Sequence, residues 1–381
     1  MKKSSNYFEA VNSAFWCRIG KSVQVNNQSL SIFRIITGCF LLLFYESFSW
    51  LSEFPDALFT PPIMSLANFT SGFPNSYVMK SIDVARLFLI MAIIFGIKTR
   101  SSTFLYVALT VICNSFLYSL GKINHDSNLL MAMLIVLSFS GWGLKLSLIP
   151  DSRIKYDSQM ASLAILAVII SFGMFTAGFE KASQWIDFDL HTSGFASWFY
   201  QGYIANGRDY FLAPYIPRLP FYLFELLDYT AVIFELSPFV FLLISKRAWH
   251  SWLLIACIFH LLNILTLNIS FTGHFLVYMA FIDYSGSFKW LSARMSYLNM
   301  KLALSLATGS VFILHFGNLI FRDGYYSITD FISSDYSLSL SFSIEILLWI
   351  VAIFIFGKRI IDLYNNKVKS MDQEFVEANN S

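Results

Sequence analysis

Three observations predict an all-α fold, a polytopic bundle of transmembrane helices. Apolar residues make up 56% of the 381-residue chain and charged residues only 13%, whereas soluble domains carry about a quarter charged residues. Apolar runs approaching the roughly 20 residues that one membrane helix needs recur along the chain. Lysine and arginine fall mostly in alternate loops between these runs. Because the net charge is only +2, nucleic acid is not an expected partner.

The N-terminal segment, residues 1–28, is mostly polar and is expected to lie at the membrane interface. A helix over 5–17 places four apolar side chains near one stripe: Phe8, Val11, Phe15 and Trp16. This is the pattern of an interfacial amphipathic helix, although a soluble amphipathic segment has the same pattern. The length and polarity of the segment argue against a cleaved signal peptide.

The apolar runs predict about ten membrane spans in one bundle. Eight of them lie in a transmembrane domain over 29–290, two additional transmembrane helices lie in 291–360, and 361–381 forms a polar cytoplasmic tail. The second and eighth spans are short and carry charges. The ten runs cover residues 30–50, 82–97, 102–121, 127–149, 159–180, 221–244, 249–268, 271–285, 302–321 and 338–356.

The basic residues predict that both termini lie in the cytoplasm, because loops on that side of a membrane carry an excess of lysine and arginine. They gather before the first span, in alternate loops and in the tail, as in Lys2, Lys3, Lys98, Arg100, Arg153, Lys246, Arg247, Lys358 and Arg359. The longest loop, 182–220, then faces outside. Its many aromatic residues suit either a lid over an outward-facing cavity or a belt in the headgroup layer.

Ionisable side chains inside apolar spans are expensive and therefore mark candidate sites. Arg34 and Glu235 both lie toward the cytoplasmic half of the membrane, which predicts a structural intramembrane pair. Lys181 stands at the outer end of an apolar helix, just before the aromatic loop. A lysine in that position can snorkel to water, which position alone favours. In a dry pocket it would lose its proton more readily and could act as a general base.

Two histidines add to the candidate site. His125 lies in a polar outer turn, on the membrane face predicted for Lys181, and His260 lies midway along an apolar helix with Asn263 one turn further outward. A lone histidine in an apolar helix is usually a packing residue, whereas a histidine with an amide one turn along more often lines a polar cavity. No spacing of histidine, cysteine or carboxylate resembles a metal site, so no metal is expected.

Three local patterns follow one another in the chain. The first is Phe-Arg-Ile-Ile-Thr-Gly at 33–38. The second is Ala-Gly-Phe-Glu-Lys-Ala at 177–182, followed by Trp185. The third runs over 226–275 from Leu-Leu-Asp through Phe-His-Leu-Leu-Asn to Gly-His-Phe. Together, over roughly 29–290, they resemble the membrane domain shared by vitamin K-dependent gamma-glutamyl carboxylases and bacterial HTTM proteins. The latter include the sporulation-delaying-protein B type, implicated in maturing a peptide toxin.

The resemblance implies that Lys181 deprotonates a reduced quinone of the vitamin K or menaquinone type so that dioxygen can react with it. His125 would help to bind the quinone oxygen, and His260 with Asn263 would line the pocket. Carbon dioxide is a further expected substrate if carboxylation follows. The expected partners are the lipid bilayer, the isoprenoid quinone and a secreted or membrane peptide. The expected location is a bacterial cytoplasmic membrane, with the site facing outside.

After about residue 290 the sequence departs from the carboxylases, which continue into a large lumenal domain that helps to bind protein substrates. Oxygenation alone, or modification of a short peptide, therefore stands beside glutamate carboxylation. A second class of function is non-catalytic: a maturation chaperone, an immunity factor, or a binder of a hydrophobic peptide or lipid. A secondary transporter is less favoured, because the sequence shows no inverted repeat with matched glycine- or proline-broken helices.

Overall fold

The computed structural model describes residues 2–121, 127–152, 156–187, 189, 191–322, 324–328 and 334–380. Within these residues the chain is helical and contains no β-strand, apart from one isolated parallel bridge between Ile97 and Ile149. The predicted all-α class is therefore confirmed.

The α-helices in the described part of the chain are numbered in order. They are α1 Lys2–Val23, α2 Asn27–Leu43, α3 Ser76–Phe95, α4 Thr99–Leu117, α5 Asn128–Leu137, α6 Tyr156–Trp185, α7 Gly194–Tyr200, α8 Phe221–Leu236, α9 Pro238–Ile244, α10 Lys246–Leu267, α11 Thr272–Met279, α12 Ser285–Ser292, α13 Tyr297–Phe321 and α14 Ser334–Asn380. Short 3-10 turns occupy parts of the loops that follow α2, α4 and α7.

Several helices are long and apolar enough to cross a bilayer. Five segments meet this condition within the described residues: Thr99–Leu120, Ala161–Trp185, Lys246–Leu267, Tyr297–Phe321 and Leu340–Asn365. A sixth span results if α8 and α9 are taken as one helix, bent by 46° where Pro238 follows Ser237. Proline lacks the amide that would continue the α8 ladder, which explains the break. These segments make the chain an integral membrane protein of the helical type.

The remaining predicted spans are shorter or more polar than a single membrane helix requires. Helix α2 has 17 residues, α5 has 10 and α11 has 8. At about 1.5 Å of rise per residue, α11 extends only about 12 Å, against a hydrocarbon core of about 30 Å. Helix α3 is long enough at 20 residues, but it carries Lys80, Asp83 and Arg86. Length and composition thus support five or six of the ten predicted spans.

The chain divides into two compact units. Unit 1 comprises Met1–Gln24, Leu163–Ile282 and Leu338–Ser381, and unit 2 comprises Val25–Ser162 and Asp283–Ser337.

Unit 1 is built around an aromatic core on α10. The Trp249 and Trp252 rings stack with centroids 5.3 Å apart, and Phe234 of α8 stacks on Trp252 at the same distance.

The predicted helix over 5–17 is confirmed as part of α1. Arg18 of α1 donates hydrogen bonds to the last two carbonyl oxygens of α9.

In unit 2, the Arg34 side chain is buried and donates to the loop that follows α5. Its acceptors are the carbonyl oxygens of Trp142, Lys145 and Leu146 and the hydroxyl of Ser147. The predicted pairing of Arg34 with Glu235 is therefore wrong. These acceptors bond both terminal nitrogens of the guanidinium without a carboxylate, and Glu235 pairs with Lys181 in unit 1.

Unit 2 also contains a buried ion pair within α3. The Asp83 and Arg86 side chains lie 2.8 Å apart and are 0% and 4% exposed. The second oxygen of Asp83 accepts from the backbone amides of Phe48 and Ser49, each at 2.8 Å. The guanidinium also donates to the Thr110 hydroxyl at 3.2 Å. The pair fixes the chain that follows α2 against α3.

Candidate functional site

A glycine brings α6 and α8 together in unit 1. A Cβ atom on Gly178 would lie 2.8 Å from the Cβ atom of Glu235 and 3.1 Å from the backbone of Leu236. Only a residue without a side chain fits at that separation. Lys181 follows Gly178 by three residues and so falls on the same face of α6. The close approach therefore delivers the Lys181 ammonium to Glu235, and the two form an ion pair.

The ion pair is incompletely partnered. The Lys181 side chain is 27% exposed and that of Glu235 is 4% exposed. The ammonium also lies 5.4 Å from the ring centroid of Trp185. The second carboxylate oxygen of Glu235, Oε2, is buried and has no hydrogen-bond partner among the described residues. A buried acceptor left in this way is costly, so it marks a position where a donor on a ligand can bind.

Glu235 stands two residues before Ser237, where α8 bends into α9. Irregular backbone at membrane depth is tolerated where it is enclosed by protein or lines a cavity. The break in the helix therefore agrees with a polar site at this point.

Helix α10 places His260 in an aromatic enclosure. The side chain is 2% exposed, and its Nε2 atom lies 2.9 Å from the Tyr278 hydroxyl. Five ring centroids lie within 6 Å of the imidazole: Phe271 at 4.4 Å, Trp349 at 5.0 Å, His274 at 5.4 Å, Phe259 at 5.6 Å and Tyr278 at 5.7 Å. The other nitrogen, Nδ1, is buried without a hydrogen-bond partner in the described structure.

Two other buried histidines show what a packing role looks like in this chain. Both nitrogens of His250 meet carbonyl oxygens, at 2.7 and 3.2 Å. Both nitrogens of His315 are partnered as well, by the Tyr325 hydroxyl at 2.7 Å and a carbonyl oxygen at 2.9 Å. His260 differs from both because one nitrogen is unused. A neutral imidazole has one donor and one acceptor, so His260 can still bond a ligand.

The ion pair and the histidine belong to one cluster in unit 1. Phe234, which precedes Glu235 on α8, contacts Phe259, which precedes His260 on α10, with ring centroids 4.7 Å apart. Asn263, one turn along α10 from His260, is half-buried. The structure thus places the Lys181–Glu235 pair and His260 on neighbouring helices of unit 1, with Asn263 on the same helix as His260.

One predicted residue cannot be placed. His125 lies outside the described residues, so its position beside Lys181 stays a prediction. The sequence analysis also missed Tyr278 and Trp349, two members of the cluster, and it did not predict that Glu235 pairs with Lys181. Gly178 was a usable signal for the last of these, because a glycine one turn before a lysine in an apolar helix indicates a close helix contact.

The aromatic loop after α6 is anchored to α8 by Asp228. This fully buried carboxylate accepts from the Ser193 hydroxyl at 2.7 Å and from the amides of Phe195 and Gly194 at 2.7 and 3.1 Å. These donors lie at the start of α7, where a carboxylate also complements the helix dipole. The loop is therefore tied down at the α8 side.

Within the described residues, no group of three or more histidine, cysteine or acidic side chains could hold a metal ion. No family model, curated protein or solved structure matches the chain. Function therefore has to be inferred from the chemistry of the site.

Proposed function

We propose that this protein is a membrane enzyme that oxygenates a reduced isoprenoid quinone and couples that reaction to modification of a peptide. The Lys181–Glu235 pair accepts the proton of the quinol hydroxyl, and His260 binds the quinol oxygen. The observation that carries the proposal is that Glu235 Oε2 and His260 Nδ1 are both buried without a hydrogen-bond partner among the described residues, on helices α8 and α10, which pack together through Phe234 and Phe259.

The residues of the cluster suit a reduced quinone. Its ring is planar and aromatic, which matches the rings of Phe271, Tyr278 and Trp349 around His260. Small-molecule sites are mostly apolar with a few placed polar groups, and here those groups are a carboxylate oxygen and an imidazole nitrogen. The apolar faces of α6 and α10 suit an isoprenoid tail that enters from the bilayer. When bound, a reduced quinone supplies a hydroxyl whose deprotonation makes the ring reactive towards dioxygen.

The ion pair accounts for the proton transfer. In a dry setting an ammonium and a carboxylate can exchange one proton and become a neutral amine and a carboxylic acid, because burial disfavours both charges. The neutral Lys181 amine then takes the hydroxyl proton, while Glu235 holds the proton that Lys181 gave up. His260 orients the hydroxyl through Nδ1, and the bond between Nε2 and Tyr278 fixes the plane of the imidazole ring.

The topology within this proposal has about ten membrane entries and both termini in the cytoplasm. The alternation of basic loops supports this topology. In the proposed topology, Lys181 lies on the outer face of a bacterial cytoplasmic membrane. There the site would meet a secreted or membrane peptide. The order of the three motifs, which resembles that of the carboxylase and HTTM membrane domains, supports the quinone, dioxygen and carbon dioxide as reactants.

A non-catalytic binder of a hydrophobic peptide or lipid is the second candidate, and one observation favours it. Lys181 is paired with Glu235 and also lies over Trp185, an arrangement that a purely structural helix end could adopt.

The deciding experiment uses the full chain purified into lipid nanodiscs and supplied with vitamin K hydroquinone under air. Epoxide is measured by mass spectrometry for the wild type, Lys181→Ala and Lys289→Ala, a control that removes an exposed lysine of unit 2. We expect epoxide from the wild type and the control. Lys181→Ala should form epoxide at least about 100-fold more slowly than the wild type, because a positioned base contributes about 10²–10⁴-fold.

Equal epoxide formation by Lys181→Ala and the wild type would exclude Lys181 as the base. If the wild type forms no epoxide and the hydroquinone does not quench its tryptophan fluorescence, the enzymatic proposal is wrong and the binding role is favoured.

A further inference from the structure

The C-terminal membrane helix α14 carries a buried carboxylate that faces the His260 enclosure. Glu345 is 1% exposed, although a carboxylate inside a membrane span is expensive unless it is fully bonded. It accepts four hydrogen bonds: from the Ser270 hydroxyl at 2.6 Å, the Phe271 amide at 2.5 Å, the Thr272 hydroxyl at 3.0 Å and the Trp349 indole at 3.2 Å. These charge-assisted bonds offset its burial.

Three of the four donors mark the beginning of α11. A carboxylate at a helix N-terminus satisfies amides that lack a partner in the helix and complements the helix dipole. Helix α11 has only 8 residues, too few to be stable without such support. It carries His274 and Tyr278, four residues apart and so on one face. Both rings lie against His260. Glu345 therefore fixes the element that orients His260.

Trp349 links α14 to His260 directly. It follows Glu345 by one helical turn and donates its indole N–H to that carboxylate. Its ring is fully buried and stacks on the imidazole at 5.0 Å with an interplanar angle of 27°. The bond to Glu345 thus holds the indole plane beside the imidazole plane.

We propose that α14 is a structural wall of the quinone site, with Trp349 as a ring-packing residue and Glu345 as a positioning residue that acts on His260 through α11. This inference rests on the proposed function of the same cluster. It extends the site beyond the region 29–290 that carries the sequence motifs, because the enclosure of His260 includes Trp349 of α14.

The first test compares Glu345→Gln with Leu347→Ala, a control on α14 whose side chain is 60% exposed. The glutamine has the same shape, but its NH₂ group donates where the carboxylate accepts. We expect the KM for vitamin K hydroquinone to rise about tenfold in Glu345→Gln, with kcat per folded molecule nearly unchanged and with no effect in the control. A purely structural role would lower the amount of folded protein and leave KM unchanged, which would overturn the inference.

A second readout does not depend on turnover. Diethyl pyrocarbonate labelling of His260, followed by mass spectrometry of its peptide, reports whether the enclosure is intact. We expect slow labelling in the wild type and in Leu347→Ala, and labelling roughly fivefold faster in Glu345→Gln, because α11 loosens. Faster labelling in a protein that forms no epoxide would leave the positioning role standing while the proposed function fails. Labelling at the wild-type rate would overturn the positioning role in either case.

Discussion

Two ion pairs among the described residues, one in each unit, differ in how completely they are partnered. In unit 2, Asp83 and Arg86 are 0% and 4% exposed, and both carboxylate oxygens accept hydrogen bonds, from the guanidinium and from two backbone amides. In unit 1, the Lys181 side chain is 27% exposed, and one oxygen of Glu235 is buried without a partner among the described residues.

This difference separates a structural pair from a reactive one. A carboxylate whose acceptors are all occupied cannot take up a proton without losing bonds that hold the fold. A carboxylate with a free buried oxygen reduces stability, yet it can bind a donor or share a proton. Partly satisfied polar groups are kept where they serve function. The same contrast separates His260 from His250 and His315, whose ring nitrogens are all partnered.

The largest expected effect on stability lies in the fully partnered pair. Asp83→Ala removes the acceptor for two amides and leaves the buried Arg86 charge uncompensated. Breaking a buried pair in this way costs about 3–5 kcal/mol, so the free energy of unfolding in mixed detergent micelles should fall by about that amount. Epoxide formation per folded molecule should stay at the wild-type value. A loss below about 1 kcal/mol, as for an exposed pair, would remove the contrast between the two units.

A smaller effect is expected at Asp228, a fully partnered carboxylate within unit 1. Asp228→Asn keeps the shape but weakens the three bonds to the start of α7. The expected loss in the free energy of unfolding is about 1.5–3 kcal/mol, since bonds to a charged group are worth about that much. Hydrogen exchange should quicken in α7, with epoxide formation per folded molecule retained. Lost turnover with unchanged exchange would instead assign Asp228 a chemical role and break the comparison.

The sequence predicted the all-α class and singled out Lys181 and His260, because a charge or an imidazole in an apolar run is conspicuous. It failed at Arg34 and Glu235, which were paired by their depth in the membrane. Depth does not show that backbone carbonyls can accept hydrogen bonds from a guanidinium, or that Gly178 lets α6 approach α8 closely enough for Lys181 to reach Glu235. The eighth predicted span also failed as a single helix. Its apolar run, 271–285, contains the eight residues of α11, and the residues 280–284 that follow are not helical.

Trp349 could not be predicted from the sequence at all. It is one of many aromatic residues in apolar runs, and its contact with His260 joins positions 89 residues apart in the numbering. Glu345 was visible as a charge inside a span. Its role could not be predicted, because the sequence does not show that α11 begins at Thr272 or that Glu345 bonds to that end of α11.

The most direct test of the Lys181–Glu235 pair is epoxide formation by Lys181→Arg in nanodiscs. Arginine keeps the positive charge and can still pair with Glu235, but it does not give up its proton in a protein. If the pair accepts the quinol proton, epoxide formation per folded molecule should fall by about 100-fold or more while the unfolding midpoint stays at the wild-type value. Epoxide formation within roughly threefold of the wild type would contradict the account and make the pair a structural contact.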